Sequence, residues 1–232
     1  MNRIESEALV VRTVDVGEAD VIATLVTEQV GKVSAIVRGA RKGSKRVGGA
    51  LEPVHTIAVL LEDRGAELTT LKESRIVKTR AGVVSRLESL DAAGIALRWV
   101  RHLFPPRTPE PEGWRVLVEL LDVLDEPGSE PRSELARAGL ALLSAVGYAL
   151  DLERCVACGR ECPTGKAACV DPGRGGLVCR ACGGASSVLL PDTRAAARAL
   201  ASGVSREVTA SQAESLLAIV DRGMAAHAGF ER

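Results

Sequence analysis

All six cysteines of the chain lie between Cys155 and Cys182. Four of them form Cys155-Val156-Ala157-Cys158 and Cys179-Arg180-Ala181-Cys182, two C-x-x-C pairs separated by twenty residues. Each pair can place two thiolates on one turn, and two such turns complete a tetrahedral zinc site. Gly159 follows the first pair and Gly183-Gly184 the second, where glycine lets backbone amides turn toward sulfur without a steric penalty. Four thiolate ligands leave no coordination position for water, so the implied single zinc ion is structural. A disulfide frame would staple the whole chain, whereas this crowding marks one small unit. A redox role is the main competitor, and two matched pairs with matched glycines argue against it. A zinc deaminase needs His-x-Glu, but His55, His102 and His227 are followed by Thr-Ile, Leu-Phe and Ala-Gly, which excludes that chemistry. Cys162 and Cys169 are left over as buried or free thiols, with Cys162 replacing Cys158 as a ligand the sharper alternative.

A second group of residues suits phosphate rather than metal. Lys32, Arg38, Arg41, Lys42, Lys45 and Arg46 lie between Glu28 and Glu52 with no acid among them, accompanied by Gly39, Gly43, Gly48, Gly49 and Ser44. Such a stretch is either a solvated loop or a cationic one that fits itself to phosphates, whose contacts supply most non-specific nucleic-acid affinity. The aromatic residues are Trp99, Phe104, Trp114, Tyr148 and Phe230, so none lies in the first 98 positions. Single-strand binders usually stack bases on aromatic rings. Any nucleic acid bound by this part of the chain is therefore held through phosphates, with little regard to sequence.

These residues need a frame. In the first 80 positions the apolar and β-branched runs Ala8–Val14, Val21–Thr27, Val33–Val37, His55–Leu61 and Leu68–Lys72 predict five short strands and no long helix. That pattern fits a small barrel, either a five-stranded OB-fold or an SH3-like one, and the OB-fold is the commoner nucleic-acid binder. From Val83 to Val100 the period becomes helical, stopped by Pro105-Pro106. Further helices are expected over Trp114–Asp125, Glu134–Ala149 and Thr193–Ala201, the last capped by Asp192. A final helix runs through Met224, with Thr209 and Gln212, or Ser211 and Glu214, as its capping box. The expected architecture is α+β and multidomain, with an OB-fold β-barrel, a helical bundle and an inserted four-cysteine zinc finger. The expected boundaries are 1–80 for the barrel, 81–150 and 186–232 for the helical domain, and 151–185 for the zinc module.

Composition narrows the class. The chain has 232 residues, 46% hydrophobic and 26% charged, an ordinary mix for a folded protein. Thirty basic and thirty acidic residues cancel, which excludes a protein that coats nucleic acid by net charge. No run approaches the ~18 apolar residues of a membrane span, and the charged start Met1–Glu7 does not read as a secretory signal.

Several segments resemble the RecO family of recombination mediators. Ala8-Leu9-Val10-Val11-Arg12, Gly17-Glu18-Ala19-Asp20, Thr27-Glu28-x-x-Gly31-Lys32, Arg38-Gly39-Ala40-Arg41-Lys42 and Leu51-Glu52-Pro53 are similar to its amino-terminal signature. Gly147-Tyr148-Ala149-Leu150-Asp151-Leu152 leading to Cys155, then Gly175-Gly176-Leu177-Val178-Cys179, resembles its zinc-finger region. The resemblance implies a bacterial cytoplasmic, nucleoid-associated DNA-repair protein that binds single- and double-stranded DNA and anneals complementary strands. It implies RecR and single-strand binding protein as partners, and help in loading RecA onto coated strands. By position it assigns DNA contacts to Arg38, Arg41 and Lys42, with Lys45 and Arg46 where the family varies, and zinc ligands to Cys155, Cys158, Cys179 and Cys182.

An enzyme would need an open metal site or a nucleophile–base pair, and three scattered histidines with no Gly-x-Ser-x-Gly or Walker loop supply neither. A non-enzymatic DNA-binding mediator is the leading expectation. An adaptor whose basic loop binds an acidic protein is the alternative. The acidic, apolar-ended tail of single-strand binding protein calls for an apolar groove beside a cation, and Arg98 or Arg101 next to Trp99 is the expected place, although Trp99 also reads as core.

Overall fold

The computed structural model describes residues 2–42, 51–204 and 206–229. The first five strands are β1 (Asn2–Val16), β2 (Asp20–Thr27), β3 (Gly31–Val37), β4 (Thr56–Asp63) and β5 (Thr69–Lys78). They close in the order β1-β2-β3-β5-β4, with β1 antiparallel to both β2 and β4 and β3 parallel to β5. This is the order of an OB-fold, not of the SH3-like alternative. Period-two alternation along β2 and β3 sends Val21, Ala23, Leu25, Val33, Ala35 and Val37 into the barrel interior. β1 begins six residues before the expected strand: Asn2–Glu7 pairs with β4, and a bulge between Val10 and Arg12 turns the strand toward β2.

The helical part comprises α1 (Ala81–Ser85), α2 (Leu87–Leu103), α3 (Pro111–Asp125), α4 (Pro131–Ala145), α5 (Pro191–Ala201) and α6 (Ala210–Ala228). α4 packs against α2, α3, α5 and α6, and Trp99, Leu117, Leu121 and Leu142 are fully buried in the shared core. Three expectations change here. The helix foreseen over Val83–Val100 is two, because Arg86 is extended and its side chain bonds the carbonyls of Gly82 and Leu124. The third expected helix starts earlier and ends at Ala145, since Pro131 sits at its first position, where a missing N–H costs nothing. Asp192 is not a cap: Leu190 holds that position with Pro191 inside the first turn. The capping box at Thr209 and Gln212 is present.

Between α4 and α5 lies a four-stranded sheet of β6 (Asp151–Cys155), β7 (Ala168–Asp171), β8 (Gly176–Leu177) and β9 (Ser187–Leu189), ordered β6-β8-β7-β9. Leu152, Val170, Leu177 and Leu189 share one core with the helices, so the cysteine unit is seated on the bundle.

Two seams join barrel and helices. Arg80, with no exposed surface, donates from Nη1 to the Val54 carbonyl at 2.7 Å and to Thr56 Oγ1 at 3.0 Å, and from Nε to Asp122 Oδ1 at 2.8 Å. At the other seam Arg107 donates its N–H to the Lys32 carbonyl at 2.8 Å and Nη1 to Asp63 Oδ2 at 2.7 Å. Gly31 makes this approach possible: at φ +71°, a Cβ there would lie 1.9 Å from the Thr108 carbonyl oxygen.

Candidate metal centre and nucleic-acid interface

The four cysteines foreseen as ligands are brought together. The sulfurs of Cys155, Cys158, Cys179 and Cys182 all lie within 4.8 Å of one another. Cys158 Sγ and Cys179 Sγ are 3.8 Å apart, far beyond a disulfide bond. The edge of a tetrahedron with Zn–S bonds of about 2.3 Å is itself about 3.8 Å. Each pair forms a tight turn: Gly159 N–H donates to the Cys155 carbonyl at 2.8 Å, and Cys182 N–H to the Cys179 carbonyl at 2.9 Å. Gly183 follows at φ +99°, in the region that favours glycine.

Electrostatics within the cluster are uneven. The backbone N–H of Cys179, 3.3 Å from Cys155 Sγ, is the main reason the Cys155 thiol is drawn down to about 6. Hydrogen bonding with Cys179 and Cys158 inside the crowded set pushes Cys182 up to about 12. The donor number, its spacing and its all-sulfur chemistry fit a closed tetrahedral metal site.

Cys162 is not in this group. Its sulfur accepts from Arg194 Nη1 at 3.0 Å, and its carbonyl from Arg194 Nη2 at 2.6 Å. Arg194 is nearly fully buried and also donates to the carbonyls of Leu152, Pro163 and Lys166. One guanidinium thus ties the Cys162–Lys166 loop to β6, which overturns the exchange of Cys162 for Cys158. Cys162 and Cys169 are half-buried free thiols. Nothing in the sequence flags Arg194, because arginine is ordinarily exposed.

The basic residues are not one cluster. Arg38 is exposed just after β3, and a 3-10 turn over Ala40–Lys42 follows. That turn is laced to the β1–β2 hairpin: Gly39 N–H donates to Asp20 Oδ1 at 2.9 Å, and Arg41 N–H to the Ala19 carbonyl at 3.1 Å. The Arg41 side chain reaches Asp15 at 3.7 Å, with both groups about half exposed or more, where such a pair contributes little. The hairpin therefore supplies acids that the stretch itself lacks. Lys45 and Arg46 lie outside the described residues, as does the side chain of Lys42. Lys32 stands apart, at the opposite end of β3, with Nζ on the Arg101 carbonyl at 2.5 Å. Burial, then the charge of Arg101, holds its ammonium below the ordinary lysine value.

The groove beside Trp99 lacks the expected cations Arg98 and Arg101. Trp99 is wholly buried, with Nε1 3.3 Å from Asp221 Oδ1. The adjoining cavity, about 520 Å³, carries Glu88, Asp91, Glu130, Glu214 and Asp221 against the single cation Arg132. An acidic tail would be repelled there.

A closed OB-fold barrel with a cationic turn after its third strand, joined to a helical bundle that carries a four-cysteine module, defines a multidomain OB-fold protein with a cysteine cluster that could hold a metal ion. Residues 1–80 match the family model "Recombination protein O N terminal" and residues 85–231 match "Recombination protein O C terminal". The chain belongs to the RecO family. It is 36% identical over 202 residues to the DNA repair protein RecO of Anaeromyxobacter sp. (strain Fw109-5), covering 86% of this chain and 78% of that one. It is 37% identical over 193 residues to the DNA repair protein RecO of Geobacter sulfurreducens, covering 83% and 78%. Similarity to the DNA repair protein RecO of Anaeromyxobacter dehalogenans (strain 2CP-C) extends over 100% of this chain and 87% of that one, at 34% identity. Among the described residues no helix is long and apolar enough to cross a membrane.

Proposed function

We propose that this chain is a non-enzymatic DNA-binding recombination mediator of DNA repair, acting in the bacterial cytoplasm at the nucleoid. The single observation that carries the reading is the family match over both halves of the chain, which includes the cationic turn of the barrel. The barrel, residues 1–80, binds single- and double-stranded DNA through Arg38, Arg41, Lys42, Lys45 and Arg46. Their charges neutralise phosphates and release counterions, a term that does not depend on base sequence. Holding a strand by its phosphates leaves the bases outward for pairing, which suits annealing of complementary strands. With RecR as partner, the protein helps to load RecA onto strands covered by single-strand binding protein.

The module over residues 151–185 holds one zinc ion on Cys155, Cys158, Cys179 and Cys182. The ion supplies the cross-link that a short sheet of two- to five-residue strands lacks. Residues 81–150 and 186–232 form the helical domain on which it is seated.

The test is annealing of two complementary oligonucleotides, bare and coated with single-strand binding protein, at low and high salt. The proposal expects faster annealing on addition of the protein, lost as salt rises. Failure to bind naked DNA, together with capture of an acidic protein partner, would favour the adaptor instead.

A further inference from the structure

We propose that Lys32, Arg98 and Arg101 form a second phosphate site at the seam between the barrel and α2, through which a bound DNA strand continues from the barrel onto the helical half. This inference rests on DNA binding by the barrel and extends its path.

The seam collects cations that the fold does not neutralise. Lys32 Nζ donates to the carbonyl of Arg101, in the last turn of α2, and Arg101 Nη2 lies 2.9 Å from His102 Nε2. Arg98 is exposed one turn earlier on α2, at the spacing that makes it a neighbour of Arg101 and His102. Among the described residues no ion pair joins Lys32, Arg98 or Arg101 to a carboxylate. The groups feel one another. Burial and then the charges of Arg101 and Lys32 hold His102 below its ordinary value, and Arg101 adds to burial in lowering Lys32.

A structural role accounts for part of this charge only. The C-terminus of a helix carries about half a negative charge, which welcomes one cation. Three permanent cations at that end leave an excess of about two positive charges. An anion with closely spaced charges answers that excess.

The ligand is DNA rather than an acidic peptide because the site continues the line of the barrel's cationic turn along β3. Lys32 and Arg38 stand at opposite ends of β3, six residues apart, or about 20 Å at ~3.3 Å per residue. One strand can therefore engage both ends.

The experiment measures binding of mixed-sequence single-stranded DNA to the full chain across a salt series. It compares wild type, Arg98→Gln/Arg101→Gln and Arg41→Gln/Lys42→Gln. The Arg101 substitution keeps the carbonyl that accepts from Lys32. Losing two contacts should flatten the slope of log affinity against log salt by about 1.4, with a melting temperature unchanged or raised as like charges are relieved. An unchanged slope in the seam variant alongside a flattened one in the loop variant overturns this site and leaves the barrel reading intact. Unchanged slopes in both overturn both. In a parallel titration with an acidic peptide, loss of peptide binding in the seam variant with DNA binding unchanged overturns the proposal in favour of a peptide site. Should the double variant unfold, Arg98→Gln alone, at an exposed position, must still flatten the slope by about 0.7.

Discussion

Arg80 and Asp122 meet at 2.8 Å across the seam between the barrel and α3, the guanidinium fully buried and the carboxylate about one-third exposed. The same guanidinium holds the carbonyl of Val54, a β-branched residue at φ +69°. Backbone of that kind is strained and persists only when its surroundings fix it. Lys78 also reaches Asp122, at 2.8 Å. Replacing Asp122 by Ala leaves a buried guanidinium without a carboxylate, and an uncompensated buried charge is costly. The expected loss is about 2 kcal/mol or more, below the figure for a fully buried pair because water reaches Asp122. Denaturant midpoints of the variant and wild type measure it.

Acid should loosen the other seam. A hydrogen bond from the Gly65 N–H, and then Arg107, hold the Asp63 carboxyl below its ordinary value. Glu62, buried beneath Arg64 and Lys72, is likewise lowered, by Arg64 first. A carboxyl whose folded value lies below its unfolded one stabilises the fold above the unfolded value, near 4. That contribution is lost as pH falls through the folded value. Melting temperature should therefore be insensitive to these groups at neutral pH and decline below about pH 4. Arg107→Gln should shrink that acid-dependent loss, as seen in thermal melts across the acid range.

What the sequence revealed and what it hid divide along physical lines. The barrel strands were legible because alternate residues must face a closed interior, as Val21, Ala23 and Leu25 do. Asn2–Glu7 was missed because β4 holds it by backbone pairing, with Ile4 its sole large apolar side chain. The four-cysteine cluster was legible because the spacing of each C-x-x-C pair is local to one turn, although the pairs meet only through the fold. The strands of its sheet are two to five residues long, too short to show a period. Arg80 and Arg194 escaped notice for another reason. Their partners are distant in sequence, and charged residues read as surface until a fold buries them.

Metal analysis of the purified protein should find one zinc per chain. Removing it by a chelator, or changing Cys179→Ser, should release the knuckles and expose Leu152 and Leu177, which pack in the common core. Zinc binding is coupled to folding in such units. A loss of about 3 kcal/mol would lower the melting temperature by roughly 6–12 °C. A metal-free preparation that melts like the loaded protein would show that the metal does not hold the fold.

The most direct test of phosphate-mediated DNA binding by the barrel is the salt slope of the full chain before and after the paired change Arg41→Gln/Lys42→Gln. Four or five contacts from the stretch Arg38–Arg46 contribute about −3 to the slope at about −0.7 per contact on single strands. The paired change should flatten it by about one to two units and weaken all sequences alike. An unchanged slope, or far tighter binding of oligo-dT than of mixed sequence, would contradict the account and place the DNA elsewhere.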